Sequence, residues 1–148
     1  MKEEKKLPEK FFKYIKKKGF LTGSKVLGGC SKNSDVDLVL KKDAYIMEHS
    51  DFFTYKKMEE QEEQKYENNC HEVAYITDSN GIVYNLLLFE NQTSIDIWKK
   101  TTNTILQMKK DYGIIDKLCK NRETRVALFK LIRTCLDQYW DELKDEEY

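Results

Sequence analysis

Apolar and polar positions alternate along this chain with two different periods, and the changes of period divide it into elements. Phe11, Phe12, Tyr14 and Ile15 stand among lysines through Lys18 with the spacing of one helix face, and Pro8 is suited to open that helix. Gly19 and Gly23 bracket a turn, and the run Lys25-Val26-Leu27 predicts a short strand leading straight into Gly28-Gly29. After a brief loop, Asp35-Val36-Asp37-Leu38-Val39-Leu40 reads as a second strand, with its aspartates on one face. Asp43 is placed to cap a helix that carries Tyr45, Ile46 and His49. The stretch 57–67 is almost wholly charged or amide-bearing and is read as an exposed helix or loop without chemistry of its own.

A hairpin follows. Glu72–Thr77 and Ile82–Phe89 are strand-like, and Asp78-Ser79-Asn80-Gly81 between them has the composition of a tight turn, since Asn-Gly tolerates positive φ. Beyond Asn85 the second of these strands is apolar at every position, which predicts a strand covered on both faces. From there the period becomes helical. Ile95, Trp98, Thr102, Ile105, Met108 and Tyr112 mark one face, and Gly113 separates that helix from a short one over Ile114–Cys119. Val126, Phe129, Ile132, Leu136 and Tyr139 mark a last helix with Asn121 as its cap. Helix, strands, hairpin, then helices is the order of an α+β domain, with a core over about 8–92 and a helical tail over about 94–144.

Composition narrows the function classes. With 148 residues the chain is one domain, and 26 basic against 26 acidic side chains leave no net field toward nucleic acid or membrane. Charge is placed unevenly: residues 1–20 hold eight lysines and three glutamates, read as the solvent face of an amphipathic helix, with a basic arm that touches RNA or DNA as the alternative. Cys30, Cys70, Cys119 and Cys135 have no zinc-pair spacing, and His49 and His71 form no ligand cluster with them. Free thiols in a reducing compartment are expected, with the cytoplasm as the default and no membrane span.

The candidate chemistry lies in Gly28-Gly29-Cys30-Ser31-Lys32-Asn33-Ser34-Asp35-Val36-Asp37-Leu38. Adjacent glycines let a backbone approach an anion closely and present amide N–H groups to phosphate oxygens, with Ser31 and Lys32 as further donors. Two carboxylates two positions apart on a strand project together, and beside a phosphate cradle they suit Mg²⁺, a hard ion that prefers oxygen. Cys30 has no evident base partner and is read as a loop filler. Trp98 and Trp140 are read as helix packing, and Arg122, Arg125 and Arg133 as solvated or paired with Glu123 and Asp137.

This run resembles the signature of the polymerase-beta-like nucleotidyltransferase superfamily, in which a Gly-Gly or Gly-Ser after the first strand precedes an Asp-x-Asp on the second. The helical end is similar to the tail of small phage-type members. The resemblance implies an Mg²⁺-dependent transfer of a nucleoside monophosphate from a nucleoside triphosphate, with ATP the expected donor, onto an acceptor hydroxyl. Asp35 and Asp37 would be catalytic and hold the metal; Gly28, Gly29 and Ser31 would meet the triphosphate. The acceptor, whether RNA, protein or small molecule, is open, and so is completion of the site by a second copy of the chain.

Two departures accompany the resemblance. Five residues separate Gly29 from Asp35, where many members have about ten. The third carboxylate of active members falls at Asn85, which can lend an oxygen but no charge and can take no proton, unless Glu72, Asp78 or Glu90 reaches in. The alternative expectation is therefore a catalytically impaired nucleotide-binding module, antitoxin-like or regulatory, that acts through a partner. A third is an interaction protein that uses the 57–67 stretch.

Overall fold

The computed structural model describes residues 7–28, 35–55 and 71–143, without the side chains of Ser24 and His71. Its elements run α1 (Glu9–Lys18), β1 (Phe20–Thr22), α2 (Ser24–Leu27), β2 (Val36–Lys41), α3 (Ala44–Glu48), a 3₁₀ turn (Ser50–Phe52) and β3 (Thr54–Tyr55). Then come β4 (His71–Thr77), β5 (Val83–Phe89) and four helices: α4 (Gln92–Asp111), α5 (Gly113–Lys120), α6 (Arg122–Gln138) and α7 (Trp140–Leu143). This is an α+β architecture around one five-stranded mixed sheet of order β1-β2-β5-β4-β3. The β2–β5 pair is parallel and the other pairs are antiparallel.

The two faces of the sheet are covered by different parts of the chain. On one, Leu38, Leu40, Leu86 and Leu88 pack with Phe11 and Ile15 of α1, Ile46 of α3 and Phe53. On the other, Val39, Leu87 and Phe89 pack with Ile95, Trp98 and Ile105 of α4, Cys119 of α5 and Phe129 of α6. The central β5 feeds both clusters: Leu86 and Leu88 are fully buried, and Leu87 is nearly so. Each such side chain contributes about 1.5–3 kcal/mol of burial.

Local signals account for many boundaries. Asp43 accepts from the Ile46 amide and caps α3, while Asn121 accepts from the Thr124 amide and caps α6. The hairpin turn is held by Asp78, whose carboxylate accepts from the Asn80 and Ile82 amides, with Gly81 at φ 79°. Trp98 packs against Phe89 and Phe129, with ring centroids 5.5 and 4.6 Å away. The α4 face predicted from Ile95 onward is buried through Ile105, but Tyr112 is exposed where the helix ends. Among the described residues no helix is long and apolar enough to cross a membrane.

One element differs from the sequence reading. Lys25-Val26-Leu27 is not a strand but part of α2, and the first strand lies earlier, at Phe20–Thr22. Thr22 pairs with Asp37, after which Gly23 at φ 76° turns the chain away from the sheet. Leu27 is buried by docking onto the α4 side of the core, not by joining the sheet.

Candidate functional site

Asp35, Asp37 and Asn85 converge although 50 positions separate the first from the last. The parallel register sets Asp37 directly beside Asn85. The Asn85 side-chain nitrogen donates to Asp35 Oδ2 at 3.0 Å and to Asp37 Oδ1 at 2.9 Å. Asp35 is exposed at the mouth, and Asp37 and Asn85 are half-buried. The amide thus bridges two like charges that would otherwise repel across a strand pair. Turning the amide over would present its carbonyl oxygen to the same point.

The site belongs to one row that crosses all five strands: Thr22, Asp37, Asn85, Tyr75 and Thr54, each paired in register with the next. Cross-strand partners project to the same face. At the β1 end the row is buried and tied to α4. Thr22 Oγ1 lies 3.0 Å from Thr102 Oγ1 and accepts from the Trp98 indole nitrogen at 3.2 Å. At the β4–β3 end, Tyr75 and Thr54 are exposed.

The glycine that the aspartates require is Gly23. A Cβ at Gly23 would stand 1.9 Å from Asp37 Oδ2, and its φ of 76° is unfavourable for other residues. Gly23-Ser24 directly follows the first strand, and residues 25–34, ten in all, separate Ser24 from Asp35. Gly28 is fixed through its carbonyl, which accepts from Arg125 at 3.1 Å, and the neighbouring Leu27 carbonyl accepts from Lys109 at 2.7 Å. Gly29, Cys30, Ser31 and Lys32, like the 57–67 stretch, lie outside the described residues.

Several other expectations change. None of the three candidate substitute carboxylates joins the site. Glu72 and Glu90 approach Lys42 at 2.9 and 3.7 Å, and Asp78 organises the hairpin turn. Arg125 is not a solvated helix residue, since it also donates to the Cys119 carbonyl at 2.9 Å. Arg133 is fully buried in α6, with Asp137 3.9 Å away. Burial pushes the Cys119 thiol up, against the lowering influence of Lys109 and Arg125.

Among the described residues no cluster of three or more His, Cys, Asp and Glu is placed to hold a metal. The donor set at the site is two carboxylates and one amide, all oxygen once the amide turns, which is chemistry that fits Mg²⁺ with its remaining positions left to phosphate and water. No family model, no curated protein and no solved structure matches the chain.

Proposed function

We propose that this protein is an Mg²⁺-dependent nucleotidyltransferase that moves a nucleoside monophosphate from a nucleoside triphosphate onto an acceptor hydroxyl. The observation that carries the reading is the convergence of Asp35, Asp37 and Asn85 beside the Gly23 turn, at the open end of a parallel strand pair. Asp35 and Asp37 would hold the metal, and Asn85 would lend its carbonyl oxygen once its amide is turned over. When bound, Mg²⁺ neutralises the triphosphate and favours in-line displacement at the α-phosphorus. The backbone at Gly23, which packs against Asp37, would lie on the phosphate side.

In the transfer, the acceptor oxygen bonds to the α-phosphorus as its bond to the bridging oxygen of pyrophosphate breaks. Asn85 has no basic atom for the acceptor proton, so that proton passes to water. Transfer is therefore expected to quicken as pH rises and the acceptor hydroxyl ionises. An Asn85→Asp variant should flatten that dependence.

The same bridging amide favours a second reading, a nucleotide-binding module without turnover, because Asn85 already satisfies both carboxylates in the place a cation would take. One experiment separates the readings. Thermal shift is measured with ATP, GTP, CTP and UTP, with and without Mg²⁺, on wild type and Asp37→Ala, alongside pyrophosphate release. A metal-dependent shift lost in the variant, with pyrophosphate released, is expected for the transferase. The same shift without release identifies the binding module, and no shift with any triphosphate overturns both.

A further inference from the structure

Tyr75 occupies the row of the carboxylates with its ring turned to solvent. It pairs with Asn85 across β4 and β5, and it is 37 % exposed although it sits on an interior strand of the sheet. It makes no hydrogen bond or ring contact that ties it to another described side chain. Among the described residues the other exposed aromatics lie elsewhere. Tyr55 is in register with Ala74 of the opposite face, and Tyr112 and Tyr139 end helices α4 and α6.

The row also has a direction. Its β1 end is closed by the Thr22–Thr102–Trp98 contacts of α4, and its β4–β3 end is open. In-line displacement needs the attacking oxygen opposite the leaving group. With the leaving pyrophosphate at the Gly23 side, the acceptor must approach over Asn85 and Tyr75. Tyr75 lies two strand spacings from Asp37, roughly 10 Å along the row.

We propose that Tyr75 is a stacking platform for the base of the acceptor, so that the acceptor is itself a nucleotide or the end of a single-stranded nucleic acid. The proposal rests on the transferase reading for its direction, but the platform binds without metal. Tyrosine suits the role because every base has a π-face and stacking is tolerant of sequence. The half-buried Asn85 beside the ring offers a hydrogen-bonding edge to the adjacent sugar.

The test uses the full chain and a 5′-labelled pentameric single-stranded RNA with a free 3′-hydroxyl, titrated by anisotropy in EDTA. Wild type should bind it, Tyr75→Ala should weaken binding about 5- to 100-fold, and Tyr75→Trp should restore it. The thermal shift with triphosphate and Mg²⁺ should be the same in all three proteins, which also shows that the variants are folded. Competition by AMP as effectively as by unlabelled RNA supports a free nucleotide as acceptor, and competition by RNA alone supports a nucleic-acid end. Equal RNA binding by wild type and Tyr75→Ala, or no binding of RNA or AMP by wild type, overturns the platform. RNA binding that depends on Tyr75, without any triphosphate shift, upholds the platform and removes the transferase reading.

Discussion

Two neighbouring rows on the same face of the sheet have opposite fates. Phe20, Val39, Leu87 and Val73 form one, and Thr22, Asp37, Asn85, Tyr75 and Thr54 form the next. In the first, Val39, Leu87 and Val73 are each at most 5 % exposed, whereas the second opens from a buried threonine to an exposed tyrosine. The strands, pairing and face are the same, so backbone geometry does not separate them. The helices account for part of the difference: α4 packs on Phe20, Val39 and Leu87 and reaches the polar row at Thr22. A polar cluster in such a position needs no burial to exist, but it does need the covered row beside it to fix its register.

That contrast can be broken from either side. The largest effect is expected in the covered row, where Leu87→Ala should cost about 2–5 kcal/mol in denaturant unfolding, while Tyr75→Ala costs far less. A similar loss in both would mean that the open row is part of the core. Next is Gly23→Ala, which must accommodate both a positive φ and a Cβ driven into Asp37. A loss of about 1–3 kcal/mol is expected, together with weakened Mg²⁺-dependent triphosphate binding; Gly28→Ala should leave that binding intact.

A smaller, conditional effect is expected from Asn85→Asp, which replaces a bridging donor with a third negative charge. In EDTA the variant should melt below wild type by roughly 0.2–1 kcal/mol, and millimolar Mg²⁺ should reverse the order. If Mg²⁺ leaves the order unchanged, the carboxylates do not form a metal site.

The smallest effect lies on the opposite face, as a control outside both rows. Tyr14 donates to Asp43, and that hydrogen bond, aided by burial and by the Asp43 charge, pushes its phenol up to about 12. A pKa raised on folding gives stability that is whole below the unfolded value near 10 and is lost as pH rises through about 12. Chemical denaturation at pH 9 and 11.5 should show that decline in wild type, and Tyr14→Phe should reduce it.

Much of this was legible before the structure, and the exceptions have physical causes. The hairpin, the Asp43 and Asn121 caps and the buried β5 rest on turn chemistry and long periodic runs, which constrain strongly. Lys25-Val26-Leu27 misled because three residues cannot reveal a period, and only Gly23 just before them signalled that the strand had already ended. The same glycine packs against Asp37, although Gly28-Gly29 is the more conspicuous pair in the sequence. Arg133 pairs with Asp137 as its spacing suggests, but its burial follows from standing one helical turn from the buried Phe129, whose face it shares. The meeting of Asn85 with both aspartates depended on strand order, which no local pattern encodes.

That strand order also bears on the order of assembly. The β4–β5 hairpin closes locally through Asn80-Gly81, and β1–β2 is nearly as local. The parallel β2–β5 seam must wait until two preformed ribbons meet across some fifty positions of chain. Seam formation is therefore expected to be the slow, long-range event, and it brings Asn85 to the aspartates. Slowing it, for example by weakening the hairpin turn with Gly81→Val, should delay recovery of ligand binding after dilution from denaturant more than it delays the return of helical signal. The candidate site would then be the last part of the molecule to come into being.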